Sequence, residues 1–138
     1  MPNHGEIAPL VVTVTPLRTR IKMCGFTREA DVDAAVAAGA DALGFVLYAK
    51  SPRHVSAERA AELASRLPPF VSPVLLFVNA STAQVRASCA LVPGAIVQFH
   101  GDESPSDCWA ASEHGKRSYL RAARFPRGAA GQDFNLLK

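Results

Sequence analysis

A short strand turns toward a helix at Lys22-Met23-Cys24-Gly25-Phe26, and this turn decides how the rest of the chain is organised. Residues 20–23 are predicted to form the strand, and the glycine after the cysteine is typical of a turn. Cys24 is therefore expected at a strand end, which in α/β folds is the edge of the sheet where chemistry collects. A lone cysteine is more often a small buried apolar residue. The rest of the chain therefore has to decide between a packing residue and a functional thiol.

The composition is that of one ordinary globular domain. The chain has 138 residues, of which 49% are hydrophobic and 20% charged, enough for a core of its own. The net charge of +3 allows an anionic ligand without demanding nucleic acid. Cys24, Cys89 and Cys108 have no metal-ligand spacing and form no disulfide framework, which favours a reducing cytoplasm. No apolar run approaches a membrane span, so no membrane partner is expected.

Three segments are expected along the chain. Residues 1–19 lack the features of a signal peptide and are predicted to be a poorly ordered extension. Residues 20–123 alternate strands with helices, and residues 124–138 form an atypical tail without a helical period. A basic cluster near the end has little aromatic interleaving, so a solvated surface is favoured over a nucleic-acid patch. The cluster comprises Lys116, Arg117, Arg121, Arg124 and Arg127.

The middle segment predicts an α/β fold with parallel βα repeats. Residues 42–48 are continuously apolar, as in a strand buried on both faces. Further strands are predicted at residues 74–78, 95–99 and 118–123, and the helices are predicted to begin at Thr27, Ser56, Ser81 and Ser104. Strands begin roughly 20 to 30 residues apart, the period of βα units. Four units and a fifth strand predict either a small open sheet or the front portion of a barrel.

Polar side chains follow each of the first four predicted strands. Cys24 ends the first, Arg53 lies in the loop after the second, Asn79 ends the third and His100 follows the fourth. Because the carboxyl ends of parallel strands share one edge of the sheet, these side chains are expected to converge there. Each has a simpler interpretation, since Asn79 is more typical of a turn and Arg53 of a solvated charge. Their joint placement is what favours a site.

Strand alternation adds polar residues beneath this edge. Lys22 shares a face with Cys24, and Gln98 shares one with His100. If the sheet curls, Lys22 and Gln98 point inward and need partners, which predicts an interior polar network supporting the site. Asp102 and Glu103 precede a helix and are interpreted as favouring its dipole without chemistry. Cys89 and Cys108 lie within predicted helices and are interpreted as packing residues.

Five segments closely resemble the phosphoribosylanthranilate isomerases of tryptophan biosynthesis. They occur in the expected order and are Ile21–Thr27, Gly39–Val46, Lys50–Ser56, Val74–Asn79 and Val97–Glu103. That family folds as a TIM (β/α)8 barrel. The resemblance covers residues 20–123 and implies that they form its first four to five units, an incomplete barrel.

The resemblance also implies a reaction and a set of site residues. The family converts N-(5-phosphoribosyl)anthranilate into 1-(2-carboxyphenylamino)-1-deoxyribulose 5-phosphate by an Amadori rearrangement, without metal or cofactor, so the implied partner is a small phosphorylated substrate. Cys24 matches the general base and Arg53 the arginine that holds the anthranilate carboxylate, while His100, Asn79 and Gln98 are expected to contact substrate. An ordinary thiol has a pKa of about 8.5, so a cysteine base requires local activation.

Two parts of the family pattern have no counterpart in this sequence. The family's general acid is an aspartate in an apolar L-L-D segment after the sixth strand, and Asp133 does not match it. The glycine-rich phosphate-binding segment is also missing. Two interpretations stay open: a truncated, frameshifted or fragmentary isomerase, or one whose other half is supplied in trans by another chain or a second copy.

The resemblance therefore predicts a chain that is inactive alone. Open sheet edges and uncovered apolar surface favour self-association or aggregation. The rival hypotheses are a non-catalytic remnant that binds anthranilate-like carboxylates or phosphate, and a structural remnant without a ligand.

Overall fold

A five-stranded parallel sheet with four helices forms the part of the chain that the computed structural model describes, residues 18–124. The strands are β1 (Lys22–Cys24), β2 (Ala42–Val46), β3 (Ser72–Phe77), β4 (Ile96–Phe99) and β5 (Tyr119–Arg121). The helices are α1 (Glu29–Ala37), α2 (Ala57–Ala64), α3 (Thr82–Leu91) and α4 (Pro105–Ala111). The predicted order of strands and helices is confirmed.

Each strand pairs in parallel with the next one along the chain, giving the order β1-β2-β3-β4-β5. Each helix therefore connects two neighbouring strands, as in successive βα units. Within residues 18–124, β1 and β5 are the edge strands. This arrangement confirms a parallel α/β fold, whereas the incomplete barrel stays a prediction.

The main core lies between the helices and one face of the sheet. Alternate residues of the central strands, such as Phe45, Phe77 and Phe99, pack into one cluster with apolar residues from all four helices. The other strand residues point to the opposite face. Val74 and Leu76 are buried on that face but stand outside the cluster. The sheet therefore has one helix-covered face and one distinct face, on which the candidate site lies.

Three of the four predicted helix starts are confirmed. The Ser56 side chain accepts a hydrogen bond from the Arg59 backbone N–H, and Ser81 and Ser104 each form a capping box. The fourth was wrong, because α1 has Arg28 as its N-cap residue, with no side-chain cap bond. Thr27 lies one residue outside the helix, where its carbonyl accepts a 3.3 Å hydrogen bond from the Arg59 guanidinium.

The predicted terminal segments fall mostly outside the described residues. Only Arg18 and Thr19 of the predicted extension are described, and the Arg18 guanidinium pairs with the Asp41 carboxylate. Of the predicted tail only Arg124 is described, and its Nη2 donates to the His100 carbonyl at 3.0 Å. Over the described part of the chain, every helix is too short or too polar to cross a bilayer.

Candidate active site

Cys24 lies at the carboxyl end of β1 with its thiol directed over β2. It is half-buried and pairs in register with Gly44. A Cβ atom built on Gly44 would lie 2.5 Å from the Cys24 Sγ and 3.1 Å from its Cβ, too close for any real side chain. The thiol therefore occupies the space that a side chain at position 44 would need. An isolated glycine inside an apolar strand is the sequence signal for such a close approach.

The loop after β2 places Arg53 against the same strand end. The Ser51 hydroxyl oxygen accepts from the Arg53 backbone N–H at 3.1 Å, and the His54 N–H donates to the Ser51 carbonyl at 3.1 Å, closing a tight turn. The Arg53 Nη1 then donates to the Cys24 carbonyl at 2.8 Å. The guanidinium lies over Gly25, whose backbone φ of +99° is rarely adopted by residues that carry a side chain. Arg53 and Cys24 are thus neighbours, as the strand-edge argument predicted.

Asn79 takes the position of a turn residue after β3. Its backbone has φ of +53°, a left-handed conformation that asparagine tolerates. Its side-chain Oδ1 accepts from the Asp102 backbone N–H at 2.8 Å, which joins the loop after β3 to the loop after β4. The simpler interpretation of Asn79 therefore accounts for its geometry. Its contact with substrate stays a prediction.

Glu103 has a larger structural role than the sequence indicated. The residue is only 7% exposed. It accepts from the Asn79 backbone N–H at 2.7 Å and from the Gly101 N–H at 2.8 Å. A carboxylate that accepts hydrogen bonds from two backbone N–H groups joins the two loops that carry them. The sequence did not indicate that Glu103 is buried, because its position just before a helix was interpreted as favouring the helix dipole.

His100 and Gln98 lie on the same face of β4. The register pairs Gln98 with Leu76, on the face that Cys24 and Gly44 also occupy. The Gln98 Nε2 lies 3.4 Å from the His100 Nδ1, so part of the predicted polar network is present. The other part is not, because the Lys22 ammonium has no hydrogen bond with any residue between 18 and 124.

The three thiols differ in their surroundings. Cys89 and Cys108 are buried in the helix-covered core, and that burial raises the pKa of both. They are packing residues, as the sequence indicated, and a buried thiol is a poor nucleophile and a poor base. Cys24 alone of the three lies at the edge of the sheet, beside a guanidinium. Residues 18–124 contain no cluster of acidic, histidine or cysteine side chains arranged to hold a metal ion.

Comparisons with known proteins agree on one family. Residues 21–127 match the model of the N-(5'-phosphoribosyl)anthranilate (PRA) isomerase family. The N-(5'-phosphoribosyl)anthranilate isomerase of Methylibium petroleiphilum is 62% identical over 112 residues, which are 81% of this chain and 51% of the relative. That of Leptothrix cholodnii is 58% identical over 115 residues, 83% of this chain and 50% of the relative.

A solved structure gives the same answer. It is a phosphoribosyl anthranilate isomerase in complex with reduced 1-(o-carboxyphenylamino)-1-deoxyribulose 5-phosphate, and it superposes with a TM-score of 0.74 at 36% identity. The superposition covers 79% of this chain and 55% of that one. The chain spans about half the length of the curated relatives it matches. By its sequence and by its fold, the chain belongs to the N-(5'-phosphoribosyl)anthranilate isomerase family.

Proposed function

We propose that this chain carries the proton-abstracting base and the carboxylate anchor of a site that isomerises N-(5'-phosphoribosyl)anthranilate. The observation that carries the proposal is the contact between Cys24 and Arg53. Both residues lie at the carboxyl edge of the sheet, and the Arg53 guanidinium is fixed there by a 2.8 Å hydrogen bond to the backbone carbonyl of Cys24. Family membership supplies the substrate and the reaction.

The rearrangement begins with two proton transfers that different groups can perform. Protonation of the ribose ring oxygen opens the ring and leaves a protonated imine at C1. Removal of the C2 proton then gives a neutral enolamine. Ketonisation of the enolamine removes the proton of the C2 hydroxyl and adds one at C1, which gives the product with no net change in atoms. In this proposal Cys24 is the base that takes the C2 proton. The guanidinium of Arg53 has five N–H donors, so it can bind a carboxylate while keeping its bond to the strand end.

We further propose that residues 1–138 by themselves do not turn substrate over. The sequence contains no counterpart of the family's acidic L-L-D segment, so the ring-opening proton has no donor here. The described sheet also offers two edges with apolar side chains on them, since Met23 on β1 is 44% exposed and Leu120 on β5 is 46% exposed. Further strands from a second polypeptide would cover both. No observation favours the alternative of a non-catalytic binding remnant.

A chimera tests the proposal. Residues 18–124 replace the matching half of the Methylibium petroleiphilum isomerase, and turnover is compared with that of the 138-residue chain alone. We expect the chimera to be active and the chain alone to be inactive. Cys24→Ser in the chimera should lower kcat by at least about a hundredfold, the usual contribution of general base catalysis. Arg53→Ala should mainly raise KM.

The control and the contrary results are equally direct. Arg28→Ala removes an exposed arginine whose guanidinium pairs, among residues 18–124, with Asp31 on α1, and it should leave both constants unchanged. A folded chimera that keeps full kcat after Cys24→Ser would refute the assignment of the base. Turnover by the 138-residue chain alone would refute its proposed dependence on a second polypeptide.

A further inference from the structure

On the site face of the sheet, the side chain of Gln98 contacts the imidazole of His100, and this contact determines which ring nitrogen carries the proton. The amide Nε2 of Gln98 lies 3.4 Å from the imidazole Nδ1 of His100. An amide nitrogen can only donate, so the Nδ1 facing it has to be the unprotonated, accepting nitrogen. A neutral imidazole with Nδ1 unprotonated carries its proton on Nε2.

We infer that Gln98 is a positioning residue that fixes His100 in the neutral Nε2–H tautomer, so that His100 presents a hydrogen-bond donor at the site. The Nε2 of His100 makes no hydrogen bond with any of residues 18–124, so its proton is available to a ligand oxygen. That this oxygen belongs to the phosphoribosylanthranilate substrate rests on the proposed function. The tautomer itself does not.

The backbone of His100 is held at both of its main-chain groups. Its N–H donates to the Phe77 carbonyl at 2.9 Å, which ties it to β3. Its carbonyl accepts from the Arg124 guanidinium at 3.0 Å. These bonds keep the imidazole's point of attachment on the strand face that also carries Gln98, two residues earlier.

The orientation of the Gln98 amide sets the tautomer. In the observed orientation its Oε1 is buried without a partner among the described residues. Turning the amide would bring Oε1 to His100, and neither N–H of the amino group would then donate to the imidazole. The Nε2–H tautomer belongs to the observed orientation, in which the amino group faces the His100 Nδ1.

The tautomer separates the roles of His100 and Cys24. A neutral imidazole with its proton on Nε2 donates from that nitrogen and cannot take up a proton there. Its accepting nitrogen is occupied by Gln98. His100 is thereby restricted to binding an oxygen, and proton abstraction is left to the thiol.

Nitrogen-15 NMR of the imidazole rings in the 138-residue chain tests this inference directly. The His100 signals are assigned by their loss in His100→Ala. In the wild-type chain we expect Nδ1 to appear as an unprotonated ring nitrogen and Nε2 as a protonated one, with the Nε2–H form in about tenfold excess, the factor that one ordinary hydrogen bond supplies. A proton found mainly on Nδ1 would overturn the inference without any variant.

Two substitutions show whether Gln98 is the cause. Gln98→Glu replaces the donor by an acceptor, so the proton should move to Nδ1 or the ring should become doubly protonated. Gln98→Met removes the donor at similar size, and the excess should fall to near parity. Gln84→Glu makes the same charge change in the α3 capping box and should leave His100 unaffected. Unchanged His100 nitrogens in folded Gln98→Met would overturn the inference, while the chimera's turnover would still judge the proposed function separately.

Discussion

At the scale of single residues, the position of the Cys24 thiol depends on the absence of a side chain at Gly44. The thiol fills the space above Gly44 on the adjacent strand. Arg53 holds the carbonyl of the same cysteine and covers Gly25 in the turn that follows. Two glycines thus make room for the two side chains that the proposed chemistry needs.

Gly44→Ala should displace the thiol. The added methyl would stand 2.5 Å from the Sγ, so the cysteine has to leave its rotamer or the strands have to separate. We expect a loss of about 1–3 kcal/mol in the free energy of unfolding, the usual cost of overpacking, and a several-fold faster alkylation of Cys24, because the displaced thiol is less well packed. Mass spectrometry of the cysteine peptides measures the alkylation of each thiol separately.

Gly94→Ala is the matched control, because a Cβ on Gly94 would meet no atom within 4 Å. It should change neither the unfolding free energy nor the alkylation rate of Cys24. Equal alkylation rates in wild type and Gly44→Ala would contradict the tight packing of the thiol on β2.

Residue by residue, the sequence predicted which side chains gather at the edge but not what each one does there. Cys24, Arg53 and His100 could be placed because strand ends in a parallel sheet coincide. The burial of Glu103 could not, because its two donors are backbone N–H groups from the loops after β3 and β4. Backbone donors leave no signature in side-chain composition, so a carboxylate before a helix looks the same whether buried or solvated.

At the scale of elements, α1 and α2 are joined by ion pairs across their exposed surfaces. Arg59 on α2 donates to Glu29 on α1 at 2.7 Å, and Arg66 just after α2 pairs with Asp33 on α1. The Arg59 guanidinium lowers the pKa of Glu29 from 4.5 to about 2, and Arg66 lowers that of Asp33.

Glu29→Gln should therefore make stability less sensitive to acid. Because the folded-state pKa of Glu29 lies below its ordinary value, the ionised pair stabilises the fold above about pH 4.5, and this contribution is lost as the pH falls toward about 2. Between pH 7 and pH 3 the urea midpoint of the wild type should fall more than that of Glu29→Gln. Glu113→Gln is the control, since Glu113 makes only a 3.8 Å ion pair with Arg117. Parallel pH curves for wild type and Glu29→Gln would contradict a stabilising pair.

At the scale of the whole molecule, one core unites the three central strands with all four helices. Successive βα units with short connections leave little choice of strand order, so the parallel sheet follows from the pattern itself. Which strand residues face the helices also follows from alternation, once one buried residue is placed. The pairing on the outer sides of β1 and β5 depends on strands outside residues 18–124, so the residue pattern within that range does not predict it.

The two core thiols provide a test of that shared core at alkaline pH. Cys89 on α3 is 1% exposed and Cys108 on α4 is fully buried, and burial raises the pKa of both above the ordinary value of a thiol. Well below that ordinary pKa both states keep these protons, so the fold has its full stability. As the pH rises above that value the unfolded chain releases protons that the folded chain retains, and stability falls.

Urea unfolding between pH 7 and pH 10.5 should show this decline in the wild type. The decline should be shallower in the double variant Cys89→Ala/Cys108→Ala, because the other titrating groups are common to both proteins. An equal slope in the double variant would mean that these thiols do not stay buried until the sheet and helices unfold together.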